Sequence, residues 1–234
     1  MRHINENVLK LVELKNVVPW GRSFDEYRDM FMLTDADLQK TILGCSDGPA
    51  SFNAVLTKAG GSVVSTDPVY RFTADQIRSR VREVYPEIMS EVAKNPDDYV
   101  WESIRDVEYL GKVRMEAVEL FFDDYEQGKQ AGRYIDASLP ELPFEDKTFD
   151  LALCSHYLFL YSDHVSLQEH ILSMKELCRV AHEVRVYPLV TLEGKPSGHL
   201  DSVVAELQNV GMDVSFQKVR YCFQKGAEEM LVVK

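Results

Sequence analysis

The sequence has few of the features that mark secreted, exported or membrane-bound proteins. Its 234 residues contain only four cysteines, which are scattered and form no C-x-x-C pair. This usage is typical of reduced thiols in a cytoplasmic protein. No apolar run is long enough to span a bilayer, and no apolar signal core follows the first residues. We therefore expect a cytoplasmic protein without a membrane partner.

Positive charge is also scarce. Asp and Glu number 38 against 26 Lys and Arg, which gives a formal net charge of −12, and the basic residues form no cluster. Because nucleic-acid binding depends on neutralising phosphates with basic side chains, we expect no nucleic-acid partner. One or two arginines can still hold a small anionic substrate.

Motifs of hydrolases and metal sites are missing as well. There is no G-x-S-x-G, and Ser155 lies in C-S-H without flanking glycines, so a hydrolase nucleophile is not indicated. Cys178 and His182 are four residues apart and can share a helical face, but no second pair joins them. The sequence therefore predicts no metal site.

The most informative stretch that is present runs over residues 40–67, with the pattern strand, tight turn, helix, strand, acid. Its turn contains Gly44, Cys45, Ser46, Asp47 and Gly48. A helix start offers free N–H groups to a ligand, and an acid about 20 residues further on, here Asp67, can bind both hydroxyls of a ribose. The turn lacks G-x-G-x-x-G, and its acid suits an ammonium or a sulfonium better than a pyrophosphate.

The remaining pattern predicts an α/β fold, with a doubly wound, mostly parallel seven-stranded sheet and an antiparallel C-terminal edge hairpin. Residues 72–132 show helical spacing and no strand, so we expect a helical insertion after the second strand. An insertion there would lie over the carboxyl edge of the sheet, where ligands bind. A substrate-recognition cap and a plain helical decoration or dimer surface are both compatible with it.

Residues 1–39 are predicted as an N-terminal helical lid preceding the α/β domain of residues 40–234. A short helix is expected from Val8 to Leu14. Ser23 and Glu26 form a capping-box pattern for a second helix. Trp20, Arg22 and Tyr27 gather near the break at Pro19 and Gly21. In one interpretation, these aromatic residues and the arginine close over a ligand. In the other, Trp20 and Tyr27 anchor the helix to the core.

Three stretches together resemble the class I S-adenosylmethionine-dependent methyltransferases. They are ILGCSDGPASF at a strand–helix turn, VVSTDP with Asp67 closing the second strand, and Asp136-Ala137 followed by LPFEDKTFDLALCSHYLFLY. The closing segments SFQKV and MLVV match the end of that fold. The resemblance covers residues 40–234 apart from the insertion.

This resemblance implies methyl transfer from S-adenosyl-L-methionine to a small-molecule acceptor. Asp67 would accept hydrogen bonds from the ribose hydroxyls, and Asp136 and Ala137 would meet the adenine. The full set of cofactor-binding candidates is Trp20, Tyr27, Gly44, Cys45, Ser46, Asp47, Gly48, Asp67, Pro68, Asp136, Ala137 and Ser155. The family usually has an acid where Gly44 stands and a glycine where Ser46 stands, so Asp47 would have to orient the ammonium of the cofactor instead.

Methyl transfer is an in-line displacement at an activated sulfonium, so proximity and alignment can supply most of the catalysis. A base is needed only if the acceptor keeps its proton until transfer. The candidates for that role are His156, Tyr161 and His199. An NAD-dependent Rossmann oxidoreductase and a non-catalytic cofactor-binding relative remain the alternatives. The oligomeric state is left open, and a homodimer is compatible with the sequence.

Overall fold

The computed structural model describes residues 18–234, so the helix predicted for Val8 to Leu14 lies outside the described part. The strands are β1 Thr41–Cys45, β2 Ser62–Thr66, β3 Tyr134–Ile135, β4 Phe149–Ser155, β5 Ala181–Tyr187, β6 Val214–Lys218 and β7 Glu229–Val233. The helices are α1 Phe24–Met30, α2 Phe52–Lys58, α3 Ala74–Lys94, α4 Val107–Gln130, α5 Leu167–Val180 and α6 Leu200–Asn209. Short 3-10 turns occupy Asp37–Gln39, Pro68–Arg71, Pro96–Asp98 and Phe159–Tyr161.

All seven strands form one sheet in the order β3-β2-β1-β4-β5-β7-β6. The first five pair in parallel, whereas β7 runs antiparallel to both β5 and β6. Strand β4 is a continuous apolar run from Leu151 to Cys154 and is buried there on both faces, as a central parallel strand must be. The predicted fold class, including the antiparallel edge, is confirmed.

Helix α1 begins with the predicted capping box. The backbone N–H of Glu26 donates to Ser23 Oγ at 3.2 Å, and the N–H of Ser23 donates to Glu26 Oε2 at 2.8 Å. The helix buries Tyr27 completely, and the Tyr27 ring stacks on Phe52 with 4.7 Å between ring centroids. Helix α1 is therefore fixed to the core beside the turn that follows β1.

The insertion after β2 consists mainly of α3 and α4. Helix α3 continues through Pro86, and apolar side chains on both sides of the proline, such as Val81 and Val92, are buried in the core. Helix α4 begins at Val107, capped by Asp106, whose carboxylate accepts the N–H of Tyr109 at 2.6 Å.

The C-terminal half of α4 packs on the sheet rather than standing apart from it. Phe121 and Tyr125 join Tyr70 and Tyr134 in a cluster of stacked, tilted and edge-on rings at β3. Helix α4 also packs against α2. The segment thus supplies the crossover helix between β2 and β3, while residues of α3, of the loop after it and of the start of α4 line the cavity described below.

Residues 18–234 contain neither a membrane-spanning helix nor a cluster of metal-ligating side chains. No helix there is both long and apolar enough to cross a membrane. Nor does that part of the chain bring together three or more His, Cys, Asp or Glu side chains that could hold a metal ion.

Candidate active site

The turn after β1 lies at the carboxyl edge of the sheet and has an unusual backbone. Ser46 and Gly48 both have left-handed conformations, with φ of 59° and 54°. The N–H of Ser46 donates to the carbonyl of Thr66 at the end of β2, at 2.8 Å, which holds the turn against the neighbouring strand. A left-handed φ favours glycine, so Ser46 occupies a position where a glycine would be less strained.

The side chain of Asp47 turns back under this edge and is buried. Its carboxylate accepts hydrogen bonds from the Tyr27 hydroxyl at 2.7 Å and the Ser65 hydroxyl at 2.6 Å. Burial raises the pKa of Asp47 to about 7, outweighing the opposite effect of these two hydrogen bonds, and the charge of Asp67 adds to the rise. A Cβ on Gly44 would overlap this carboxylate, so Asp47 fills the space beside Gly44.

Asp67 connects the end of β2 to the turn after β1. One carboxylate oxygen accepts the N–H of Val69 at 2.8 Å and the other accepts the N–H of Gly48 at 2.9 Å. Burial raises the pKa of Asp67 to about 6 against the effect of these two bonds, and Asp136 raises it further. Each oxygen retains a lone pair, so the carboxylate can still accept hydrogen bonds from a ligand.

Asp136 follows β3 at the same edge. It forms an ion pair with Arg71, with 3.0 Å between Nη2 and Oδ1, and both side chains are about 40% exposed. Pro68 and Ala137 are half-buried nearby in the chain. Asp47, Asp67 and Asp136 therefore lie along one edge of the sheet, after the carboxyl ends of β1, β2 and β3.

Ser155 and His156 end β4. Ser155 is buried, and its hydroxyl lies 2.9 Å from Nδ1 of His156. The backbone of His156 has φ of 52°, and its N–H donates to the carbonyl of Tyr187 at 2.8 Å. Burial holds the pKa of His156 well below its usual value, and the positive charges of Arg22 and Arg114 lower it further. The imidazole is therefore neutral at pH 7.

Beside His156 lies a cavity of about 320 Å³. It is enclosed by the segment before α1, the insertion, the end of β5 and the loop between β6 and β7. Half-buried His156 and Arg22 contribute polar groups to its wall. The aromatic residues that line it are Trp20, Tyr99, Tyr187, Tyr221 and Phe223. The cavity is thus largely apolar and opens at the carboxyl ends of β4 and β5, next to the acidic edge.

Three of the predicted site residues, Tyr161, His199 and Cys45, do not line the cavity. Tyr161 closes a 3-10 turn, and burial raises its pKa. His199 precedes α6, and its ring lies 4.9 Å from that of buried His170. Neither lines the cavity. The thiol of Cys45 packs in the core beside Cys154, so only the backbone of Cys45 is available at the turn.

A buried polar cluster behind the cavity was not foreseen. Arg114 donates to Glu26 and, at 3.2 Å, to the hydroxyl of Tyr221, which itself donates to Glu26 Oε1 at 2.8 Å. The pattern contained a signal for it, because Arg114 follows Leu110 and precedes Val118 by four residues each. A charged residue on the apolar face of a helix is expected to be buried and paired.

The strand order, with β7 antiparallel at the edge, agrees with the doubly wound α/β sheet predicted from the sequence. No family model matches the chain. A protein of Methanocaldococcus jannaschii, described as uncharacterized protein MJ0045, is 28% identical over 229 residues, covering 97% of this chain and 100% of that protein.

Several solved structures are similar in fold. Magnesium protoporphyrin IX methyltransferase from Synechocystis PCC 6803, with bound SAM, has a TM-score of 0.46 at 10% identity. The alignment covers 100% of this chain and 99% of the methyltransferase chain. A TehB-like SAM-dependent methyltransferase from Corynebacterium glutamicum has a TM-score of 0.45 at 11% identity, covering 97% and 93%. The PH0226 protein from Pyrococcus horikoshii has a TM-score of 0.43 at 15% identity, covering 84% and 82%.

Proposed function

We propose that the protein transfers a methyl group from S-adenosyl-L-methionine to a small-molecule acceptor. The observation that carries this proposal is the row of three acids, Asp47, Asp67 and Asp136, along the edge where β1, β2 and β3 end. An acidic edge is complementary to a ligand with a sulfonium, an ammonium, ribose hydroxyls and an adenine amino group. The same edge would repel a pyrophosphate, so it disfavours NAD.

The residues present fit such a cofactor. Asp67 keeps lone pairs for two ribose hydroxyls, and its bond to Gly48 keeps the turn close to where the ribose would lie. Asp47 would act on the ammonium from behind the turn, because its carboxylate is buried against Tyr27 and Ser65, while Asp136 and the backbone of Ala137 are available to adenine. Bound there, the cofactor supplies an electrophilic methyl group on sulfur.

The chain's remaining contribution is positioning. His156 lies between the acidic edge and the aromatic cavity, so an acceptor in the cavity would present its reactive atom near the end of β4. The apolar wall excludes water from this position, and neutral His156 can accept a proton if the acceptor must lose one. A cavity of about 320 Å³ suits a small molecule rather than a macromolecular segment.

A thermal-shift and calorimetric titration tests the cofactor. We expect S-adenosylhomocysteine to stabilise the protein and bind measurably, and NAD to do neither. In Asp67→Ala, stabilisation by S-adenosylhomocysteine should fall. The control is the surface variant Asp35→Ala, which should retain it. Stabilisation by NAD alone would contradict the proposal.

Methyl transfer itself is tested separately, by incubating labelled S-adenosyl-L-methionine with a broad panel of small acceptors and following label in products. Transfer to one or more acceptors, lost in Asp67→Ala, is the expected result. Tight binding of the cofactor without transfer to any acceptor would favour a non-catalytic cofactor-binding protein.

A further inference from the structure

Arg22 has too few partners for a cation at the inner wall of a cavity. Its Nη1 donates to the carbonyl of Trp20 at 3.1 Å. Its Nε is buried and has no hydrogen-bond partner among residues 18–234, and no carboxylate of those residues forms an ion pair with it. An uncompensated guanidinium in apolar surroundings is unfavourable and is stabilised by any anion that reaches it.

The charge balance behind the cavity explains why Arg22 lacks a partner. Glu26 is the nearby carboxylate, but its two oxygens are engaged by Arg114, Tyr221 and the N–H of Ser23. Two guanidiniums thus share one carboxylate. Burial and the charge of Arg114 lower the pKa of Arg22, whereas Glu26 raises that of Arg114 against the effect of burial. One positive charge remains on the cavity side.

The other charged groups that line the cavity do not neutralise it. Asp98, Glu193 and Lys225 are exposed and lie at the mouth. Glu193 forms an ion pair there with Lys195, with 2.7 Å between Oε2 and Nζ. The interior therefore combines one unpaired cation with aromatic and aliphatic walls.

We propose that this cavity binds an anionic acceptor, with a planar or apolar body against the aromatic wall and a carboxylate paired with Arg22. That the ligand is the methyl acceptor rests on the proposed function, but the carboxylate site itself does not. A guanidinium presents two parallel N–H donors to a carboxylate, and such a pair is strongest where water is excluded. The overall negative charge of the protein does not oppose this, because the local charge at Arg22 is positive.

Matched pairs of aromatic carboxylates and their neutral amides provide the probes. Phenylacetate with phenylacetamide, indole-3-acetate with its amide, and 2-naphthoate with its amide differ in charge and hardly in shape. Calorimetry is done with and without S-adenosylhomocysteine. We expect at least one carboxylate to bind about tenfold more tightly than its amide. Arg22→Met should abolish that preference and Arg22→Lys should retain part of it.

Lys225→Met is the control, since it removes a cation at the mouth and should leave the preference unchanged. A second readout is the NMR titration of His156. Because the charge of Arg22 lowers the pKa of His156, a bound carboxylate and the Arg22→Met substitution should each raise it. This readout holds even if Arg22→Met is less stable, provided that the variant is folded in the spectrum.

Three results would overturn the proposal. In the first, no carboxylate is preferred to its amide. In the second, the preference follows Lys225 rather than Arg22. In the third, Arg22→Met weakens S-adenosylhomocysteine about tenfold and leaves the probes unaffected, which would assign Arg22 to the carboxylate of the cofactor. Failure of S-adenosylhomocysteine to bind, with the Arg22-dependent preference intact, would refute only the proposed function.

Discussion

The carboxylate of Asp47 occupies the space that a side chain on Gly44 would enter. A Cβ built on Gly44 overlaps all three carboxyl atoms of Asp47. Glycine at residue 44 and the inward conformation of Asp47 therefore depend on each other. The family resemblance places an acid at residue 44, and here an acid three residues later reaches the same place.

Replacing Gly44 by alanine should displace Asp47 and lower the free energy of unfolding by about 1–3 kcal/mol, as overpacking does in a tight site. Urea denaturation measures the effect. Gly198→Ala is the matched control, because nothing lies within 4 Å of a Cβ there and the backbone is not left-handed. The double variant Gly44→Asp with Asp47→Gly should recover part of the lost stability. Equal losses in Gly44→Ala and Gly198→Ala would show that the overlap is easily relieved.

The pH dependence of stability should reflect Asp47. Its pKa is about 7 in the folded protein against an ordinary value of 3.8, so the folded state holds the proton more tightly. The stabilisation is complete below about pH 4 and is lost as the pH rises through 7, and for this buried group it amounts to roughly 4 kcal/mol. Asp47→Asn should therefore gain stability relative to the parent between pH 5 and pH 8.

Chemical denaturation at several pH values measures this difference. Asp35→Asn, which changes an exposed carboxylate, is the control measured beside it. Parallel curves for Asp47→Asn and the parent would mean that Asp47 is ionised in the folded protein well below pH 7.

Asp67→Ala should weaken binding of S-adenosylhomocysteine by about 1–3 kcal/mol, because charged hydrogen bonds to ribose are lost and the N–H of Gly48 loses its acceptor. Calorimetry gives the affinity. Asp67→Asn, which keeps one acceptor oxygen, should lose less than Asp67→Ala. Unchanged affinity in both variants would remove Asp67 from the site.

The buried pair of Glu26 and Arg114 should be strongly coupled. Glu26→Gln leaves the buried guanidinium of Arg114 without its counter-charge and should lower the free energy of unfolding by about 3–5 kcal/mol. Combining it with Arg114→Met should cost less than the sum of the two single changes.

The control for this double-mutant cycle is the exposed ion pair of Lys175 and Glu206, with 2.6 Å between Nζ and Oε1. Removing that pair should change stability by less than about 1 kcal/mol. Additive effects at Glu26 and Arg114 would indicate that neither charge depends on the other for its burial.

The sheet could be predicted from the sequence because each strand is a local signal. The apolar run of β4 and the acids that end β2 and β3 also determine where the polar edge lies. The cavity could not be predicted in this way, since its walls come from segments far apart in sequence, such as Arg22 and Phe223. Tyr161 and His199 likewise follow strands, but distance along the chain does not tell towards which side a loop turns.

The cavity wall is closed by residues from opposite ends of the sequence. Trp20 and Arg22 precede the first strand, while Tyr221, Phe223 and Ala227 lie in the loop that joins the two antiparallel edge strands. This loop is held in place by the pairing of β7 with β5 and β6. The cavity therefore depends on the antiparallel edge as much as on the parallel strands, and a substitution that loosens this edge would open the cavity wall even where it leaves β1 to β4 unchanged.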